Sequence, residues 1–170
     1  MISPAESSPY PHLFSRFRVG RTELKNRIVH AAMSTRFQVQ GQVSDRLIAY
    51  HVNRARGGAA MSVTEPLGTL SHHVGSIRVD VFSGRNADGL RRWAEAVEAH
   101  DCRLVAQIQD PGRGRHEEGR VGQPIGASSL PDDLSWTVPH ALSTAAVSRQ
   151  REIDRGDRAP RLWCVVMVRS

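Results

Sequence analysis

The fold class of this chain is decided by residues 103–108, RLVAQI, and by the segment that precedes them. These six residues form a short, largely apolar run of the kind that makes a buried strand. In residues 88–100, apolar side chains recur three and four positions apart, which predicts an amphipathic helix. The apolar face of that helix consists of Leu90, Trp93, Ala94 and Val97. A helix that leads directly into a buried strand predicts a parallel α/β sheet.

Two further strands are predicted upstream. They are residues 28–33, IVHAAM, and residues 59–64, AAMSVT, the second ended by Glu65 and Pro66. Strands that alternate with helices form parallel sheets with right-handed crossovers. This order fits either a barrel or a doubly wound sheet. No G-x-G-x-x-G motif follows the first strand, which disfavours a dinucleotide-binding Rossmann fold.

Caps and turns place the remaining elements. A hairpin that turns at Gly20 is predicted before the first strand. Ser44 is a favourable N-cap for a helix that ends at the glycine pair 57–58. Residues 110–142 form a long excursion rich in glycine and proline, and Ser143 is a second favourable N-cap. The predicted order is hairpin, three strands separated by two helices, the excursion, and a further helix.

Composition excludes several classes of protein. The net charge is +6, but Lys25 is the only lysine, and this arginine excess indicates coding bias rather than a phosphate-binding face. No basic run is interleaved with aromatic residues, so we expect no nucleic-acid partner. No signal peptide or run of about 18 apolar residues occurs, so we expect no membrane partner and a cytoplasmic location. Cys102 and Cys164 lack metal-ligand spacing and His72-His73 lacks a third ligand, so no metal site is predicted.

A series of motifs occurs in a characteristic order along the chain. They are LFSRFRVG at 13–20, LKNRIV at 24–29, MSTR at 33–36, YHVNRARGG at 50–58, LVAQIQDPGR at 104–113 and VPHALS at 138–143. Together they resemble the N-terminal part of the Old Yellow Enzyme family, in particular its dienoyl-CoA reductase branch. The resemblance implies a partial (β/α)8 barrel with an N-terminal hairpin and about three βα units. It divides the chain into an arm (1–12), the barrel part (13–147) and an Arg-rich tail (148–170).

The resemblance also implies a cofactor site for FMN, with NAD(P)H as the electron donor. The residues that would contact FMN are Ala31, Ala32, Met33, Ser34, Pro66 and Gln107. All lie at or near the carboxyl ends of predicted strands, where α/β barrels carry their active sites. A glutamine in an apolar strand is costly unless its amide finds partners, and a flavin edge offers them. The acceptor in full-length relatives is an enone or enoyl-type small molecule, and no catalytic residue is assigned.

The chain also departs from the family pattern. Ala32 replaces the usual proline, and Asp110 stands where many relatives carry a histidine. The substrate histidine pair, the tyrosine proton donor and the phosphate-binding loops have no counterpart. We therefore expect a truncated, impaired FMN-dependent NAD(P)H oxidoreductase with a three-stranded sheet. Its tail would come from a shifted reading frame or a short variant. The alternative functions are a non-catalytic remnant and a basic nucleic-acid-binding module.

Overall fold

The computed structural model of the chain describes residues 8–68, 78–81, 83–110, 112–113, 124–131, 133, 136–148 and 163–168. For Asp110 and for residues 163–168 it describes the backbone alone. The His72-His73 pair and most of the predicted excursion and tail lie outside these residues. In chain order, the elements are α1 (Pro11–Phe14), β1 (Phe17–Val19), β2 (Thr22–Leu24), β3 (Val29–His30), α2 (Asp45–Arg56), β4 (Met61–Gly68), α3 (Ala87–Glu98), β5 (Arg103–Asp110), β6 (Ile125–Gly126), β7 (His140–Ala141) and β8 (Trp163–Val168).

The N-terminal hairpin is confirmed. Strands β1 and β2 pair antiparallel, with Phe17 opposite Leu24. Gly20 makes the turn with a φ of +58°, in the left-handed region that glycine enters without a steric penalty. Helix α1 begins at Pro11, inside the segment predicted to be an arm. The Arg27 amide donates to the Leu13 carbonyl at 3.0 Å and thereby ties this helix to the chain that enters β3.

The main sheet is parallel, as predicted, but the expectation of three strands is wrong. The strand order is β3-β4-β5-β8, with parallel pairing throughout. Strand β8 lies in the Arg-rich tail and pairs with β5, with Gln107 opposite Val165. The sequence of β8 is WCVVMV, a run rich in β-branched residues, although no strand is predicted in the tail.

Strand β4 passes through the residues that were expected to end it. Val63 pairs with Val105 and Pro66 pairs with Gln107, so β4 uses three steps where β5 uses two. The extra residue makes a β-bulge, and Thr64 and Glu65 are consecutively buried there. Proline has no amide hydrogen for a sheet ladder and is tolerated at bulges. Pro66 therefore fits inside a central strand, and the expected end at Glu65-Pro66 is wrong for that reason.

The two helices cover one face of the sheet. Ser44 caps α2 by accepting the Leu47 amide at 3.1 Å, and α2 ends at Gly57, both as predicted. Helix α3 buries Leu90, Trp93 and Val97. The core between the helices and the sheet also contains Leu47, Leu67, Cys102, Leu104 and Ala106. The predicted N-cap at Ser143 is confirmed as well, because its hydroxyl accepts the Ala146 amide at 3.2 Å and residues 144–148 are helical.

Candidate functional site

The predicted site residues on β4 and β5 lie side by side. Pro66 and Gln107 are register partners on adjacent parallel strands. Their chain neighbours Leu67 and Ala106 belong to the core under the helices, so by strand alternation Pro66 and Gln107 face the opposite side of the sheet. Gln107 is only 7% exposed, and no described residue hydrogen-bonds its side-chain amide. A largely buried side-chain amide with no hydrogen bond to another described residue fits a group that binds a polar ligand.

The four predicted residues after β3 lie outside any helix or strand. Strand β3 contains two residues, so the strand predicted over 28–33 is shorter than expected. Ala31, Met33 and Ser34 are exposed, and Ala32 is half-buried. This segment contains few ladder hydrogen bonds because the strand ends at His30. Its backbone and the Ser34 hydroxyl are therefore accessible to a ligand.

Glu65 joins this segment to β4 beside Pro66. Its Oε2 atom accepts hydrogen bonds from the Thr35 amide at 2.6 Å, the Thr35 hydroxyl at 2.7 Å and the Arg36 amide at 3.3 Å. Thr35 follows Ser34, and Glu65 precedes Pro66. A continuous path of covalent and hydrogen bonds thus connects Ser34, through Thr35 and Glu65, to Pro66. The ends of that path, Ser34 and Pro66, are two of the six predicted residues.

The β-bulge orients Glu65 and satisfies the disturbed ladder. The backbone N–H of Gln107 donates to the Thr64 hydroxyl at 2.9 Å. A side-chain oxygen thus replaces the backbone carbonyl that a regular strand would supply as acceptor. Thr64 in turn donates to the Glu65 carbonyl at 2.8 Å. β-Bulges frequently reorient a side chain beside an active site. Here the bulge places the Glu65 carboxylate against the segment that follows β3.

A buried histidine network lies on the helix side of the sheet. The Ser62 hydroxyl contacts His51 Nδ1 at 2.7 Å and His30 Nδ1 at 3.0 Å. Arg54 Nε donates to His30 Nε2 at 3.2 Å, and a guanidinium cannot accept. The neutral His30 therefore carries its hydrogen on Nδ1 and donates to Ser62, which donates to His51 Nδ1. The hydrogen of neutral His51 is left on Nε2, which has no hydrogen-bond partner among the described residues.

Burial controls the titration of this network. Burial lowers the pKa of His51 to about 3, with smaller contributions from His30 and Arg54. Desolvation and the Arg54 charge also lower the pKa of His30. Both imidazoles are therefore neutral at physiological pH. The network is a structural feature of the helix-sheet interface and lies opposite the face that carries Pro66 and Gln107.

Sequence reasoning missed Glu65, Thr35 and the His30–Ser62–His51 network. A signal for Glu65 was present, because a carboxylate inside an apolar strand is costly unless it is hydrogen-bonded. The same argument supported Gln107, which the family resemblance had selected. The two histidines gave no comparable signal, since their contact joins positions 21 residues apart through a serine on a third element. Only the packing of α2 on the sheet brings them together.

The described residues contain neither a metal cluster nor a membrane-spanning helix. No cluster of three His, Cys, Asp or Glu side chains suited to a metal ion occurs in the described ranges, which omit His72 and His73. Within those ranges, none of the helices has the length and apolar character needed to cross a lipid bilayer. Cys102 is fully buried, as predicted for a small apolar residue, and burial raises the pKa of its thiol to about 11.

A parallel sheet whose helices cover one face, with polar groups on the other face near the carboxyl ends of its strands, is the arrangement found in α/β-barrel proteins, which bind ligands at one rim. The structure of morphinone reductase is similar, with a TM-score of 0.74 over 92% of this chain and 47% of that one, at 23% identity. This similarity shows the fold and agrees with a partial (β/α)8 barrel.

The sequence comparisons identify the family. Residues 12–156 match the model of the NADH:flavin oxidoreductase / NADH oxidase family, and the chain belongs to that family. The predicted family resemblance is thereby confirmed. The chain is similar to the metal reductase of Desulforamulus reducens, at 34% identity over 139 residues that are 80% of this chain and 20% of that protein. It is also similar to the NADH oxidase of Thermoanaerobacter brockii, at 31% identity over 88% of this chain and 24% of that protein. It thus spans only a fifth to a quarter of these relatives.

Proposed function

We propose that this chain supplies one wall of the FMN site of an NAD(P)H-dependent oxidoreductase. Membership of the flavin oxidoreductase family supports the class of reaction. The observation that carries the proposal is the pairing of Gln107 with Pro66 on the face opposite the helices. A bound flavin would supply the hydride-transfer chemistry itself, and the protein would bind and orient it.

The residues present fit the polar edge of a flavin. The Gln107 amide offers one acceptor and two donor hydrogens, which match a ring edge that carries both kinds of group. Ala31, Ala32 and Pro66 are small, so they leave space for a planar ring next to the backbone. Ser34 supplies an exposed hydroxyl, and Met33, which is 57% exposed, offers an apolar surface. These residues would hold and orient the cofactor, and none of them is assigned a proton-transfer role.

The rest of the proposed activity follows from the family. NAD(P)H would be the electron donor, and an enone or enoyl-type small molecule would be the acceptor. We propose a cytoplasmic location for the reaction. The non-catalytic and nucleic-acid-binding alternatives have no observation in their favour among the described residues. The histidine network takes no part in this proposal because it lies on the other face of the sheet.

FMN titration of the purified chain tests the proposal. Binding should quench flavin fluorescence, and Gln107→Leu should weaken the affinity by about tenfold or more, since a polar partner contributes roughly 1–3 kcal/mol when buried. Gln42→Leu is the matched control, because Gln42 is exposed and belongs to a turn outside the strands. The proposal is wrong if the parental chain does not bind FMN, or if Gln107→Leu binds as tightly as Gln42→Leu.

A further inference from the structure

We propose that Glu65 is a positioning residue that holds the segment carrying Ser34 in place at the FMN site, an inference that rests on the proposed function. Three donors from two consecutive residues converge on its Oε2 atom. Two successive backbone amides that bind one anionic oxygen resemble the backbone nests that hold anions in proteins. Here the anion is a side chain of the same protein, supplied by the neighbouring strand.

The segment held by Glu65 has a backbone that requires support. Arg36 has a φ of +55°, in the left-handed region that non-glycine residues adopt only at a cost. Strained conformations of this kind persist where surrounding structure enforces them, and they cluster at ligand sites. The Arg36 amide bonds to Glu65, and the Phe37 amide bonds to the Thr35 hydroxyl at 3.2 Å. The contacts of Glu65 therefore stabilise the turn that follows Ser34.

The burial of Glu65 argues against a merely incidental contact. Its side chain is 2% exposed, and its Oε1 atom has no hydrogen-bond partner among the described residues. A carboxylate placed so deeply loses its hydration, and the bonds to Oε2 offset part of that loss. An apolar side chain would avoid this cost at the same position. The hydrogen bonds from Thr35 and Arg36 therefore compensate the cost of an acid at this position.

Geometry connects this contact to the FMN site. Glu65 and Pro66 are consecutive, and Pro66 is the register partner of Gln107. Thr35 and Ser34 are consecutive as well. Fixing Thr35 to Glu65 thus restricts the position of Ser34 relative to Pro66 and Gln107. Loss of the carboxylate should release Ser34 from Pro66 and Gln107 while leaving the strands in register.

Hydrogen exchange and FMN titration of the full chain test this inference. Glu65→Leu should accelerate amide exchange at Thr35 and Arg36 by roughly 10- to 100-fold. Glu65→Gln keeps one acceptor oxygen without the charge, so it should restore part of the protection. Glu95→Leu is the matched control on the exposed surface of α3. Leu90→Ala, which removes core packing, controls for general destabilisation and should accelerate exchange in α3 as well.

The FMN affinities should follow the same order: parental, then Glu65→Gln, then Glu65→Leu. A general loss of stability would not produce this rescue by the conservative variant. Unchanged exchange at Thr35 in Glu65→Leu would overturn the inference. Faster exchange with unchanged FMN affinity would also overturn it, while the proposed function would stand. If the parental chain binds no FMN, the proposed function fails, and the exchange rates still decide whether Glu65 holds this segment.

Discussion

Acidification should destabilise this protein through His51. The folded chain keeps His51 neutral down to about pH 3, whereas an unfolded chain protonates it near the ordinary pKa of 6.5. Between these values the unfolded state binds one more proton than the folded state. The free energy of unfolding therefore rises with pH between about 3 and 6.5. The stability that comes from burying neutral His51 is fully present above pH 6.5 and is lost as the pH falls toward 3.

The size of the effect follows from linkage. One excess proton in the unfolded state gives a slope of about 1.4 kcal/mol per pH unit. Lowering the pH from about 6.5 to about 5 should therefore remove roughly 2 kcal/mol through His51 alone. The pKa of His30 is lowered too, so its contribution has the same sign. A single domain has only about 5–15 kcal/mol of stability, so this loss is large enough to measure.

The assay is urea unfolding, followed by tryptophan fluorescence, at a series of pH values in this window. Trp93 is a suitable probe because its ring centroid lies 5.0 Å from that of His51. His51→Leu removes the titrating group, and Ser62 keeps its contact with His30. The slope of stability against pH should decrease by about 1.4 kcal/mol per unit in this variant.

Val97→Ala is the control, because it removes core packing without removing a titrating group. It should lower the free energy of unfolding by a similar amount at every pH and leave the slope unchanged. Parallel pH profiles for the parental chain and His51→Leu would refute the reasoning. In that case His51 would be hydrated or protonated in the folded protein, and the hydrogen-bond directions assigned to the network would be wrong.

Three further predictions concern stability and reactivity. Asn86→Ala should destabilise the chain by roughly 2–4 kcal/mol in urea unfolding. The buried Asn86 side chain donates to two carbonyls, at 2.7 and 2.8 Å, and accepts one backbone amide. A loss of stability smaller than that caused by Asn53→Ala, at an exposed position, would contradict the prediction. Ser44→Ala should cost about 1 kcal/mol through loss of the α2 cap, and Ser44→Thr should retain most of the stability, because it keeps a hydroxyl that can accept the Leu47 amide and donate to the Phe37 carbonyl. Cys102 should resist alkylation in the folded chain and react after unfolding, since its thiol is buried and its pKa is raised to about 11; rapid labelling of Cys102 under native conditions, located by peptide mass spectrometry, would exclude this environment.

The sequence predicted the parts of the fold that depend on local physics. Ser44 and Gly20 occupy the positions that their backbone preferences indicate, and the apolar spacing in α3 identified the residues that it buries. Parallel pairing followed from the alternation of helices and strands. Periodicity did not reveal the bulge, because Pro66 ordinarily ends a central strand, and the tertiary contacts that permit it there cannot be read from neighbouring residues.

For the site, a polar residue in an apolar strand can be noticed in the sequence, whereas contacts across elements cannot. The family resemblance selected Gln107, the cost of a polar group in an apolar strand supported that choice, and the structure places Gln107 beside Pro66. The role of Glu65 depends on the extra residue in β4, which turns its carboxylate toward Thr35. Strand β8 was missed because its neighbours in the tail have an unusual composition. Pairing with β5 is a long-range interaction that local propensity does not encode.

The bulge in β4 has a consequence for insertions and deletions. Val63 pairs with Val105, and Pro66 pairs with Gln107. The two β4 residues are three positions apart, whereas their partners in β5 are two apart. Removing one residue between them would make the ladder regular and leave a single position opposite Ala106, which belongs to the apolar layer. If Glu65 remained, its carboxylate would enter that layer, and if Thr64 remained, the segment after β3 would lose its anchor. The length of this strand should therefore be fixed more strictly than its composition, and a loss of one codon should be less tolerated here than most substitutions.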